Sequence, residues 1–300
     1  MTTPATERAM RMASYASVAV AVALTAMKAV AWWWTGALAM AATLLDSSLD
    51  LFASVINAIA IAHALQPADK EHRFGHGKAE SLAGLGQAIL VGTSAFLLGK
   101  GAIERFHHPE PVTNSAVGIA VVVVSLVATW FLVRFQRRVA SLSGSVAIAA
   151  DSVHYQSDFL LNGGVLAALF LAGWLGWQRA DPFFAFLVAL WILWSAWGIA
   201  RDAVDLLMDR ELSSDERAEI IGVACTHAAV TGVHALRTRR SGPRRIIQFH
   251  IKLDGELTLS AAHEISDEVE ELIRAALPGT DVTIHSDPDH LEPDEPVAML

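Results

Sequence analysis

The chain has 300 residues, of which 53% are hydrophobic and only 18% charged, with a formal charge of −9 and a mean hydropathy of +0.41. A soluble domain usually carries about 25% charged residues, so neither an ordinary globular chain nor a disordered one fits. The acidic balance argues against a nucleic-acid partner, and the lone Cys225 excludes a disulfide framework or a cysteine-rich zinc site.

The charge is unevenly placed. Residues 1–205 hold 13 basic and 13 acidic residues, whereas 206–300 hold 9 and 18. The neutral part contains six segments apolar enough for the ~20 residues that a bilayer requires: 13–35, 37–65, 81–103, 115–134, 144–172 and 182–204. Short-loop basic residues set the orientation. Arg8 and Arg11, then Lys70, Arg73 and Lys78, then Arg134, Arg137 and Arg138 mark one side, while the other side has only Arg105 and Arg179. Both termini are therefore expected in the cytoplasm. The fold expected is an α-helical membrane protein with six transmembrane helices over 1–207. A cytoplasmic α/β domain over 208–290 and a loose Pro- and acid-rich tail over 291–300 complete it.

In the polar third, Ser213-Ser214-Asp215-Glu216 reads as a helix start, with the helix reaching Ala228. Val233–Arg240 and Arg245–Leu253 alternate as two strands joined at Ser241-Gly242-Pro243. Leu259–Ala276 has helical spacing, and Asp281–His285 is a short last strand. The order αββαβ suggests a small open-faced sandwich.

Ionisable residues inside a bilayer mark functional sites, because each costs about 2.5–3.5 kcal/mol near the midplane on insertion scales. The second span places Asp46 and Asp50 at i and i+4, on one helical face. The fifth places His154 and Asp158 at the same spacing. Together they offer one nitrogen and three carboxylates, a closed four-ligand set suited to Zn²⁺ and its near relatives. A purely structural ion-pair network would need cations, and none is expected near the four. Asp151 either orients the imidazole or faces water.

The pair Asp46-x3-Asp50 and His154-x3-Asp158, with RFGHGKAE after the second span, HYQSD in the fifth, and LRTRRSGP and HSDPD in the last third, resembles the cation diffusion facilitator family. It especially resembles the bacterial homodimeric zinc/proton antiporters and ferrous-iron efflux pumps of that family. The resemblance implies a metallochaperone-like fold for the cytoplasmic domain and a transport site of Asp46, Asp50, His154 and Asp158. It further implies a loop zinc site at Asp69, His72 and His76, and a regulatory binuclear site at His234, His250, His263, His285 and Asp287, with the acid bridging two ions. A charge interlock of Lys78 with Asp209, or failing that Asp205, belongs to the same pattern. Asp289 stands where the family can have a cysteine, and the roles of Asp289 and His290 stay open.

The function expected is export of divalent metal, Zn²⁺ foremost with Cd²⁺ and Fe²⁺ possible, in exchange for protons, by a homodimer in the bacterial inner membrane. Ligand deprotonation couples metal to protons, and a histidine titrates in the physiological range. An uncoupled channel or a membrane metal sensor is the alternative. No enzyme is expected and no organic cofactor: His263-Glu264 does not continue to H-E-x-x-H, G-x-S-x-G is absent, and Gly99-Lys100-Gly101 does not complete a nucleotide-binding loop.

Overall fold

A computed structural model describes residues 4–36, 38–107, 116–175 and 179–290. The expected tail over 291–300 lies outside the described residues. Six long helices come first: α1 (Pro4–Thr35), α2 (Leu38–Ala64), α3 (Lys78–His107), α4 (Ala116–Ser143), α5 (Val146–Leu175) and α6 (Ala180–Leu207). Then follow α7 (Ser214–Ala224), β1 (Gly232–Ser241), β2 (Arg244–Leu253), α8 (Leu259–Ala276) and β3 (Thr280–Pro288). Among the described residues, α1, α2, α3, α4 and α6 are long and apolar enough to cross a bilayer. The 30-residue α5 is the sixth long helix and carries Asp151, His154 and Asp158 in its first half.

The chain forms two compact units. One comprises Arg8–Gln66 and Ala79–Val204; the other draws the described residues of Met1–Glu7 and of Asp205–Leu300 together with Pro67–Lys78. In the helical unit the usual distribution of apolar residues is inverted. Leu45, Phe52, Phe96, Trp194 and Trp197 point outward, whereas the buried positions are largely alanine and serine. Lipid is as apolar as a leucine core, so helices here associate through small residues that let backbones approach. The α3–α6 seam shows how: a β-carbon on Gly92 would lie 3.7 Å from Ala196 Cβ, and one on Gly99 would lie 3.5 Å from Ala189 Cβ. Polar links supplement this packing. Tyr155 Oη of α5 lies 2.9 Å from Ser54 Oγ of α2, which accepts from Ser17 Oγ of α1 at 3.2 Å.

The second unit has a sheet of order β1-β2-β3, with β1–β2 antiparallel and β2–β3 parallel. α7 starts with a capping box: Glu216 N donates to Ser213 Oγ and the Glu216 side chain accepts from Ser213 N. It ends at Ala224, capped by Cys225, four residues before the expected Ala228. Ile220, Phe249, Ile251, Val269, Ile273 and Val282 form one core between the helices and a single face of the sheet. Residues of opposite parity on β2 and β3 are presented on the other face, away from the core that α7 and α8 form.

Candidate metal sites

Among the described residues, three clusters of potential ligands emerge. In the helical unit, ligand atoms of Asp50, His154 and Asp158 lie within 4.8 Å of one another. His154 Nε2 is 3.1 Å from Asp50 Oδ1 and 3.9 Å from Asp158 Oδ2. That nitrogen is buried and makes no hydrogen bond of acceptable geometry among the described residues. Two carboxylates converging on one ring nitrogen leave a position suited to a positive charge, either a proton on Nε2 or a metal ion. Asp46 does not join this tight group but lines the same cavity of about 680 Å³ as Asp50 and His154, between α2, α3 and α5.

Two neighbours depart from the sequence reading. A cation is present after all: Lys28 of α1 donates to Ser47 Oγ at 2.5 Å and interacts electrostatically with Asp46 and Asp158. Lys28 lies within an apolar span, so the rule that singled out the acids applies to it as well. Asp151 faces no water. It is buried, and its two oxygens accept from Gln87 Nε2 of α3 at 3.1 Å and Gln136 Nε2 of α4 at 2.5 Å. It ties three helices together one turn from His154.

The second cluster sits in the segment between α2 and α3. Asp69 Oδ1 accepts backbone N–H groups of Glu71 (2.9 Å) and His72 (2.6 Å), forming a tight Asx turn. The turn places His72 Nδ1 at 3.4 Å and His76 Nε2 at 3.2 Å from the same carboxylate. The His72 N–H bond is the main cause holding the Asp69 carboxyl below the usual range. This segment packs on the β1–β2 hairpin. Gly77 abuts the backbone of Ser241 and Gly242, and Arg239 lies 4.9 Å over the Phe74 ring. Sequence could not place the loop there, because nothing local records such a contact.

Lys78, the first residue of α3, is 3.0 Å from Asp209 Oδ1 and donates to Leu207 O, the last residue of α6, at 3.2 Å. A cation suits a helix C-terminus. Asp209 adopts a left-handed conformation (φ 56°), which aspartate tolerates better than most residues, and it also pairs with Arg239 at 3.2 Å. Burial alone would raise the Asp209 carboxyl, but the Lys78 and Arg239 bonds outweigh it and hold it below the usual value. Asp205 instead pairs with Arg210.

The third cluster lies on the open face of the sheet. In the strand register His234 pairs with His250, and His250 with His285, so three histidines stand in a row across three strands. Ring centroids are 5.1 and 4.6 Å apart. Asp287, two residues beyond His285, presents its carboxylate to all three. Oδ2 lies 3.1 Å from His234 Nε2 and 2.8 Å from His250 Nδ1, and Oδ1 lies 3.2 Å from His285 Nε2. Burial pushes this carboxyl up, but the His250 hydrogen bond and the adjacent imidazoles prevail and hold it low. Ligand atoms of His234, His250 and Asp287 lie within 4.8 Å of one another, a donor set of nitrogens and oxygen that can hold a metal ion. His263 is not brought to this row. It is exposed, 3.6 Å from Asp267 on its own helix. The reason is topological, since α8 packs on the other sheet face, where Ser266 Oγ meets Ser286 Oγ at 2.8 Å. Asp289 and His290 also stand apart: Asp289 N donates to Leu253 O at 2.7 Å and Asp289 Oδ1 accepts from Gly255 N.

The chain as a whole has counterparts among known proteins. A family model for the cation efflux transmembrane domain matches residues 14–208, and one for the cytoplasmic domain of cation efflux proteins matches 212–289. The cation-efflux pump FieF of Klebsiella pneumoniae subsp. pneumoniae is 44% identical over 286 residues, 95% of both chains. FieF of Salmonella choleraesuis is 45% identical over 288 residues, 96% of each. Among solved structures, the metal-bound C-terminal domain of the CzcD transporter from Thermotoga maritima is 28% identical, with a TM-score of 0.25 over 26% of this chain and 91% of that one. With its helical and cytoplasmic parts both matched, and relatives similar along nearly its whole length, the chain belongs to the cation diffusion facilitator family, a family of transporters rather than enzymes.

Proposed function

We propose that this protein exports divalent metal cations from the bacterial cytoplasm through the inner membrane in exchange for protons, with Zn²⁺ as the foremost substrate. The observation that carries this reading is the convergence of Asp50 and Asp158 on a buried His154 nitrogen that lacks a hydrogen bond, with Asp46 in the same cavity. One imidazole and three carboxylates accept Zn²⁺ or Cd²⁺, and Fe²⁺ is not refused on ligand type. Metal and proton compete for the same lone pairs, so loading on one side displaces protons and unloading on the other restores them. Efflux itself is supported by the FieF relatives.

The loop cluster and the His234–His250–His285–Asp287 row act as regulatory sites that fill when cytoplasmic metal is high. Two copies of the chain assemble, a reading supported by the match to the cytoplasmic domain of cation efflux proteins, a family named for dimer formation. The basic loops support both termini on the cytoplasmic side. In proteoliposomes with internal pH recorded, a Zn²⁺ gradient should drive a counterflow of protons, and Asp50→Ala or Asp158→Ala should abolish it. Wild-type proton-coupled transport in both variants sinks the assignment. Adding Cd²⁺ and Fe²⁺ in competition ranks the substrates.

A further inference from the structure

The helical unit has a second large cavity, of about 930 Å³, between α4, α5 and α6. Its lining differs sharply from that of the cavity holding Asp46 and Asp50. One end carries Arg134, Arg137 and Arg138, and the remainder is lined by residues such as Trp130, Phe159, Leu187 and Trp191. The arginines occupy positions i, i+3 and i+4, so they share one face of α4. Among the described residues no acidic partner is recorded for any of the three guanidinium groups, and Arg134 instead lies 5.8 Å over the Trp130 ring. Three uncompensated positive charges would repel a divalent cation, so this cavity is no part of a metal path.

The cavity is itself amphipathic. Arg137, Arg138 and Ser141 lie in the last two turns of α4, beside the turn at Gly144 (φ 66°). Leu187 and Trp191 lie between about four and six turns back from the end of α6, so the apolar lining runs deep along the helices. A cationic mouth followed by an apolar shaft matches an anionic phosphate ester carrying acyl chains. Arginine recognises phosphate by bidentate charge-assisted bonds, and basic pockets between transmembrane helices bind anionic headgroups. We infer that this cavity is a binding site for one anionic phospholipid, its phosphate held by Arg134, Arg137 and Arg138 and a chain laid over Phe159 and Trp191.

The test uses the full-length protein released from detergent micelles into a native mass spectrometer. Phosphatidylglycerol, phosphatidylcholine and inorganic phosphate are titrated separately. The wild type should retain phosphatidylglycerol at least tenfold better than phosphatidylcholine. Arg134→Gln/Arg137→Gln/Arg138→Gln should lose that preference, and the triple Lys variant, which keeps the charge, should retain most of it. Equal retention of the two lipids by the wild type overturns the proposal, as does an unchanged preference in the Gln variant. Displacement of bound lipid by millimolar inorganic phosphate also overturns it, by assigning the site to free phosphate. The lipid readout is independent of metal transport, so this inference and the proposed function fail separately.

Discussion

Replacing Gly77 by alanine tests whether the loop carrying Asp69, His72 and His76 is held by the hairpin beneath it. A β-carbon on Gly77 would lie 2.3 Å from Ser241 O, 2.4 Å from Ser241 C and 2.7 Å from Gly242 N. All three are backbone atoms, so no rotamer change relieves the overlap, and the two segments must part by about 1 Å to restore ordinary contact. Overpacking of this kind costs about 1–3 kcal/mol. The polar links nearby are too weak to resist. Lys78 and Asp209 are each 39% exposed, and such pairs contribute about 0–1 kcal/mol; the Arg239–Phe74 stack adds about 0.5–1 kcal/mol. The loop should therefore lift rather than compress. Local opening eased by 1–3 kcal/mol accelerates amide exchange about 5–150-fold. Hydrogen exchange on the full-length protein should show this at residues 75–78 and 241–245, with the helical unit unchanged. Exchange within twofold of wild type at both segments refutes the argument.

The remaining predictions concern charges. Asp209 has a folded-state pKa below its unfolded value near 3.9, so its contribution is present above about pH 4 and disappears as pH falls through the lower folded value. Asp209→Asn should thus weaken protection of residues 67–78 at neutral pH, and the gap from wild type should close as pH falls through the lowered folded-state value; a gap independent of pH contradicts this. Among the described residues, Asp287 supplies the carboxylate that meets His234, His250 and His285. Asp287→Ala should lower zinc binding at that row at least tenfold in equilibrium dialysis of the whole protein, and unaltered stoichiometry and affinity would rule out the acid as bridging ligand.

The helices were legible because length and apolar composition are local properties. The six expected spans correspond to α1–α6, and α8 has the expected bounds, Leu259–Ala276. α4 runs on to Ser143, well past the expected residue 134, because an apolar window marks only the part in hydrocarbon while Arg134, Arg137 and Arg138 remain good helix formers. Strand parity was harder. Reading alternation backward from Thr238 puts His234 on the core side, yet it faces His250 because the ladder slips between His234 and Arg237. Ala235, with φ 51°, marks this bulge, which no turn residue in the sequence advertises. Asp50, His154 and Asp158 were found from their cost in lipid, whereas Lys28 escaped although it incurs the same cost. The glutamine partners of Asp151 come from two other helices, 64 and 15 residues away, and no spacing rule reaches that far.

The alanine- and glycine-lined contacts of the helical unit have a mechanical consequence. Where leucines interlock, a helix moves only if many rotamers change together. Along the α3–α6 seam Gly92, Ala95 and Gly99 meet Ala189 and Ala196, with Val91 and Ile192 buried beside them, so fewer rotamers stand in the way of a displacement. Polar clasps, Ser17–Ser54–Tyr155 and Gln87–Asp151–Gln136, then carry a larger share of the resistance to sliding. In such a bundle the hydrogen bonds are the latches and the packing is the bearing surface.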